Sequence, residues 1–509
     1  MNRPGHLSAL VLLATTALMP AFGSVARAQD APPITPEQTQ SLAHALGIYE
    51  ADEMAAVFGP GTDRITPDGD HYLVKMPIMQ GRDNGVLSGD DLTMHAKPLD
   101  ENRWMFDTIT LPAHIVIGDK GSANPTDITF ATTGLNYTAT VDTTYATPAM
   151  SDLTLDSMTT HVTKKAKTAS DTDTDVTVTS GAGEAHGTTT AAVDGRVDEA
   201  SRLAFSTLAI TTIGTSPVHV TMGKVLGDFM IGGVSPEQSR AFTAAFNKFS
   251  QESKATTAAP VPAPADGTTP PKPALTDEQR ATIKDIIATA RDMLRTVNLV
   301  AEIDDISVSG SDATAVKMNK VQLTTIGAAP DGKLDAREEI TVDGLTVDGA
   351  GMGAAGALIP HHVVFTPHVA GLPLDDVTAV IEQYIDNPDA NSSVIDAAFA
   401  QMVAKGPIHL SIDQLAFDMG PAAIESTAVL DVTSPSPAAN EITADIKATG
   451  LDDLMKLLSA DPQLKQGVAL VVFLKGVGKQ DGNTVTWHVV SKNGHLLVNG
   501  TDMSQMIPH

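Results

Sequence analysis

Several residue groups in this chain have types and spacings that could do chemistry, and each has a plainer reading. Gly351-Met-Gly353-Ala-Ala-Gly356 spells the glycine turn that cradles a dinucleotide pyrophosphate at a helix N-terminus. Pro360 follows too soon for the helix such a turn must open, so the segment reads as a flexible turn. Asp171-Thr-Asp173-Thr-Asp175 begins like a calcium loop, but Val176 takes the glycine position and Ala182 that of the bidentate Glu, which leaves at most a weak surface cation site. His361, His362 and His368 carry metal-binding imidazoles, yet neighbours on a strand point to opposite faces and no carboxylate nearby in sequence completes a set. Glu302, Asp304 and Asp305 could act as an acid/base pair or hold a cation; interleaved with Ile303 and Ile306, they read as a solvated strand edge. There is no Gly-x-Ser-x-Gly elbow, and no Ser, His and Asp whose spacing alone builds a triad. With 0 Cys, thiolate catalysis, disulfides and Cys-ligated metals are excluded. Nothing in these residues points to an enzyme, a cofactor or a bound metal.

The bulk properties narrow the class further. Acidic residues number 61 against 33 basic ones, and a net charge of −28 repels phosphate backbones, which excludes nucleic acid as a partner. Hydrophobic residues reach 42% with only 18% charged, so the surface must be built from small neutral polar groups, which suits sheets. A chain of 509 residues is long enough for two to four domains or one elongated unit.

Residues 1–28 have the layout of a cleavable signal peptide: Arg3 and His6, the uncharged and mostly apolar run Leu7–Met19, then Ala26-Arg27-Ala28. The run is too short to span ~30 Å of hydrocarbon, so export to the periplasm is expected, an uncleaved anchor being the alternative. No later segment is apolar for long enough to cross as a helix, Val468–Leu474 being the longest such run. The N-x-S/T triplets at Asn136, Asn391 and Asn499 read as chance.

The elements that would position any site begin with three capping boxes. Thr35-Pro-Glu-Gln38, Ser235-Pro-Glu-Gln238 and Thr276-Asp-Glu-Gln279 each set a hydroxyl before a Gln three residues on, and each predicts a helix. Further helices are expected at Leu374–Ile385, Val394–Lys405 and Leu451–Leu458. The Pro/Ala/Thr-rich stretch 254–274 cannot bury enough to order itself; it either divides a β-rich region 29–253 from a second region 275–509 or forms the tip of a helical hairpin.

The most informative feature is a repeated pattern in which two alternating apolar residues, a polar pair, and two more apolar residues of opposite parity follow one another. It occurs as Trp104, Phe106 then Ile109, Leu111; Leu203, Phe205 then Leu208, Ile210; and Ile303 then Ile306, Val308. It returns as Val316, Met318 then Val321, Leu323; Ile340, Val342 then Leu345, Val347; Leu410, Ile412 then Leu415, Phe417; and, more weakly, Leu153, Leu155 then Met158, Val162. Strand side chains alternate faces, so an uninterrupted strand would throw the second pair to the far side. A β-bulge at the polar pair corrects the phase, as does a two-residue turn, for which only Asp343-Gly344 has suitable chemistry. The expected fold is mostly β (α+β): a large curved antiparallel sheet or half-barrel with accompanying helices, apolar on one face. That face is either an open groove or a core roofed by helices.

The order Gly371-Leu-Pro-Leu374, helix, Lys405-Gly-Pro-Ile-His-Leu410-Ser-Ile-Asp-Gln-Leu415, Glu425–Val432, helix, Val468–Val477, and the hairpin from Thr484 through Asn493-Gly494 to Gly500 resembles the YdgA-like family of exported bacterial proteins of unknown function. Its strand units look similar to those of AsmA-like envelope proteins. The resemblance covers about the last 150 residues, and the rest only through the repeated unit. It implies a periplasmic, elongated, curved sheet and, from the AsmA-like relatives, a hydrophobic channel for acyl chains. Those relatives are often tethered to the inner membrane, whereas the signal here looks cleavable. The expectation is a structural or binding component of the cell envelope whose apolar face takes lipid acyl chains or another envelope protein. An outer-membrane β-barrel and a secreted hydrolase are the alternatives, although 2 Trp and 5 Tyr are few for aromatic girdles.

Overall fold

A computed structural model describes residues 31–504 apart from 49–50, 60–62, 78–83, 120–124, 146, 165–172, 215–216, 258–274, 294, 311–314, 350–352, 388–391 and 437–438. The signal segment, Asp171 and Gly351 therefore lie outside the described residues.

Helices open where the caps stand. In α1 (Pro36–Ala45) the Gln38 N–H donates to Thr35 Oγ1 and the Thr35 N–H donates to Gln38 Oε1, at 3.2 and 3.1 Å. A second helix, α2 (Ala51–Phe58), follows it. Ser235 Oγ caps α3 (Pro236–Thr257), and the Thr276/Gln279 pair closes both bonds of a capping box on α4 (Asp277–Met293). Then come α5 (Leu374–Asp386), α6 (Ser392–Ala404), α7 (Leu451–Ala460) and α8 (Lys465–Val477). The turn Lys254–Thr257, read from sequence as the start of a disordered stretch, is the end of α3. The two helices flanking 258–274 pack on each other, and the strands on either side, Lys224–Val234 and Thr296–Gly310, are neighbours in one ladder.

The strands form one large antiparallel sheet, mostly β as the alternation predicts. It is built as two ladders that merge. One runs from Ile65–Asp68 through His71–Met76, Leu92–Pro98, Arg103–Thr110, Asn136–Asp142, Thr147–Leu155, Gly183–Ala191 and Val197–Phe205 to Lys224–Val234. The other runs from Asn84–Gly89 through His114–Asp119, Thr126–Thr133, Ser157–Lys164, Thr174–Ser180 and Leu208–Ile213 to Val218–Met222. Both join Thr296–Gly310, the first along 296–304 and the second along 307–310. A single ladder continues through Ala315–Ala328, Lys333–Asp343, His362–Pro373, Ile408–Asp418, Ala423–Val432 and Glu441–Thr449 to Thr484–Lys492. Among the described residues the sheet does not close on itself.

The polar pairs of the repeat are where the ladders divide. Gly223, Asp305, Asn319 and Gly344 fall in one row, and the same register holds on both sides of it, so no residue is inserted there. The strands bend instead of bulging. Asp305 (φ 51°) and Gly344 (φ 66°) take left-handed backbone, and a Cβ on Gly344 would fall on the Asn319 amide. Asp343-Gly344 is thus a bend in a continuing chain and not a hairpin turn: Thr346–Asp348 pairs with the same strand as Lys333–Asp343. The expected bulge does form after Asp107, where Thr108 and Ile109 oppose Met94 alone, and at Asp413-Gln414. Ile412 faces Ala428 and Leu415 faces Ser426, so two residues oppose Thr427 alone. Because the facing strand alternates without a break, Leu410, Ile412, Leu415 and Phe417 share one face. At the far end Asn493-Gly494 makes the two-residue hairpin its sequence calls for, both residues at positive φ.

Fully buried core gathers where helices cover the sheet. One cluster packs Leu42, Phe58, Tyr72, Val74, Trp104 and Phe106 beneath α1 and α2. Another packs Leu451, Leu454, Leu458, Val471, Val485 and Trp487 beneath α7 and α8. Smaller clusters lie under α6, around Met402 and Ile408, and within the second ladder at Ile115, Ile128 and Val162. Among the described residues no helix is long and apolar enough to cross a membrane.

Candidate functional site

The registers place the apolar residues of the repeat in continuous rows. One row passes across twelve strands through Leu155, Gly183, Phe205, Val225, Ile303, Val321, Val342, Val363, Phe417, Ile424, Ala448 and Val485. A parallel row, two residues along each strand, passes through Leu153, Ala185, Leu203, Gly227, Ala301, Leu323, Ile340, Phe365, Leu415, Ser426, Ile446 and Trp487. Directly opposed residues share a face, and so do residues two apart, so both rows lie on one surface. At a strand spacing of ~4.8 Å the surface is about 50 Å long. Apart from Ser426, its members are hydrocarbon, glycine or tryptophan.

Burial changes along these rows. At the C-terminal end Ala448, Val485 and Trp487 are buried under α7 and α8. Phe106, a further two residues along on the same face through Ala139 and Ser151, is buried under α1. Between Val197–Phe205 and Ile408–Asp418, every large side chain of the two rows is only half-buried, Phe205, Ile303, Val342 and Phe417 among them. Phe205 lies over Gly183, where a Cβ would meet its ring, and Phe229 covers Gly227 in the same way. The two glycines therefore give their larger neighbours room to lie flat.

Of the residues the sequence singles out, Leu203, Phe205, Ile340, Val342, Leu415 and Phe417 fall in these rows. Leu410 and Ile412 share their face through the Asp413 bulge. Trp104 and Phe106 belong to the N-terminal core. Leu208 and Ile210 lie across the bend in the second ladder, where Ile210 heads its own row with Val178, Val220, Val308, Val316 and Val347. Val225, Val363 and Phe365 complete the surface unannounced; Val363-Val-Phe365 was their only signal, overshadowed by the histidines beside it.

The opposite face carries ions. Glu302 accepts from Lys224 and Lys320, at 2.8 and 2.7 Å, and these contacts hold its carboxyl below the usual range. Its strand is paired on both sides, so Glu302 and Asp304 stand mid-sheet and not at an edge. Cross-strand His–Asp pairs recur: His362 with Asp343, His368 with Asp335, His409 with Asp431, His161 with Asp175 and His488 with Asp445. His186 Nδ1 meets Asp152, whose carboxyl burial pushes up, and Nε2 faces Glu184 at 3.7 Å, so carboxylates occupy both ring nitrogens. An open depression of about 500 Å³ lies beside this pair, near Arg202, Asp228 and Met230. Among the described residues no group of His, Asp and Glu is placed to hold a metal ion.

Compared with protein-family models, with curated proteins and with solved structures, the chain matches none.

Proposed function

We propose that this is an exported, periplasmic component of the bacterial cell envelope that binds lipid acyl chains along the uncovered middle of its apolar sheet face. The observation that carries the reading is the pair of rows: apolar but for Ser426, roofed by helices at both ends, and partly exposed between. A hydrocarbon chain gains by covering such a surface and asks no hydrogen bond of it. A protein partner's contact, apolar at its centre, also makes about one hydrogen bond per 100–200 Å² through its polar rim, and within the rows Ser426 alone has a side chain for one. The likeness of the strand units to those of AsmA-like envelope proteins implies the same use. Against the barrel alternative stands the open sheet.

The test is native purification followed by lipid extraction and mass spectrometry, on the wild type and on a Phe205→Asp/Ile340→Asp variant. Acyl lipid should accompany the wild type in stoichiometric amount and be lost from the variant. Wild type free of lipid would reject the reading.

A further inference from the structure

Given the acyl-chain reading of the sheet face, on which this rests, we infer that the lipid taken up is one whose headgroup carries an ammonium, received by the lone carboxylates Glu199 and Glu338. Beside the two apolar rows, two residues further along each strand, runs a third through Ser201, Phe229, Leu299, Thr325 and Glu338. A fourth starts at Glu199 and continues through Ile231 and Val297. Both lie on the face of the first two, since residues two apart along a strand point the same way. From Val197–Phe205 across to Ile408–Asp418, Glu199 and Glu338 are the only charged side chains in these four rows, and no Lys or Arg balances them there.

Both acids are half-buried, and among the described residues neither forms a hydrogen bond or ion pair. Burial alone acts on Glu199 and pushes its carboxyl up; Arg295, beyond Val297 at the start of its strand, lies over Gly233 and does not offset it. Acids in the middle of the opposite face are treated differently, Glu302 being held by Lys224 and Lys320. Hydrocarbon lying along the rows displaces water beside Glu199 and Glu338, and a carboxylate that loses water costs free energy unless a cation or hydrogen-bond donors replace it. An ammonium supplies both, whereas a headgroup with only negative charge meets like charge. Thr325, directly opposite Glu338, offers its hydroxyl to the oxygens of the same headgroup. The two acids stand four strands apart, about 19 Å, too far to share one headgroup, so each receives its own.

Lipid exchange tests it. The mature chain is incubated with vesicles of equal phosphatidylethanolamine and phosphatidylglycerol, repurified, and its extracted lipid sorted by headgroup with mass spectrometry. The wild type should hold phosphatidylethanolamine in excess of the vesicle ratio by about threefold, the scale of one partly exposed charge pair. Glu199→Gln/Glu338→Gln should return the ratio to that of the vesicles while total bound lipid and melting temperature stay at wild-type values, and Glu338→Lys should enrich phosphatidylglycerol. Glu339→Gln, which removes the same charge from the opposite face, should change nothing. Lipid bound by the wild type at the vesicle ratio, a ratio unmoved in Glu199→Gln/Glu338→Gln, or an equal loss of selectivity in Glu339→Gln would each overturn headgroup selection and leave acyl binding standing. A wild type that takes up no lipid overturns the acyl-chain reading, and headgroup selection falls with it.

Discussion

Truncating one aromatic at a covered end of the sheet and one in its uncovered middle separates an open face from a filled one. Phe106 is 1% exposed in the N-terminal core, so Phe106→Ala removes a fully buried ring and leaves a cavity that the strands and α1 cannot collapse; a loss of about 4 kcal/mol is expected. Phe205 sits on the same face but half-buried, with its ring over Gly183 and toward Leu155. Water already reaches part of that ring, and solvent fills the space its removal leaves, so only the transfer of its covered portion is lost, about 1.5–2 kcal/mol. Urea unfolding followed by circular dichroism, with Trp104 and Trp487 fluorescence reporting the two covered ends, gives the two midpoints. Equal losses would mean that the middle of the face is filled and the acyl-chain reading has no room to operate. A Phe205→Ala variant as stable as wild type would mean that the ring packs on nothing and the row assignment is wrong.

Other perturbations probe the parts that build this face. Gly344→Ala forces a Cβ onto the Asn319 amide at φ 66° and should cost at least ~1 kcal/mol in thermal melting; an unchanged melting point would argue against the bend. Deleting Gln414 removes the extra residue and leaves Ile412, Asp413 and Leu415 in regular alternation opposite Ala428, Thr427 and Ser426, so Leu415 and Phe417 should stay on the apolar face and the protein should still fold; failure to fold or new dye-binding surface would contradict the register. Glu302 is held ionised by Lys224 and Lys320, so its contribution is present above the ordinary Glu range and is lost as pH falls through its lowered value. Glu302→Gln should therefore be about 1 kcal/mol less stable near neutrality and converge with wild type in acid; a constant difference across the titration would exclude that origin. Thr276→Ala should cost about 1 kcal/mol by opening the cap of α4, read as a lower melting temperature.

How much of this was legible in the sequence depended on whether a residue's signal had one cause or two. The caps at Thr35 and Thr276 predict their helices correctly because a hydroxyl with Gln three residues on has few other uses. The bulge at Asp413-Gln414 is readable because Ile412 and Leu415 are both large and of opposite parity, and the pair between them lacks hairpin-turn chemistry. Gly344 misleads because a hairpin turn and a strand bend demand the same positive φ, and only the pairing of Thr346–Asp348 decides between them. Gly183 and Gly227 are members of the apolar rows that no hydrophobicity pattern reveals, since their contribution is the absence of a side chain. Helix α8 has no helical signature in the sequence because it is apolar on both sides, which erases the 3.6-residue period, and its N-cap residue, Leu464, makes no side-chain capping hydrogen bond. Glu302 reads as an edge residue because alternating acid and aliphatic residues look alike in a border strand and in a central strand with one ionic face.

The most direct measurement places a photo-crosslinking residue at Ile340, in the apolar row, and separately at Ile326. Ile326 is on the adjacent strand, 53% exposed and equally apolar, but on the other face of the sheet from Leu323, the residue paired with Ile340. Irradiation in cells followed by mass spectrometry of the purified protein should find acyl lipid attached at 340 and none at 326. Equal labelling at both positions, or labelling at neither, would contradict a lipid-binding face.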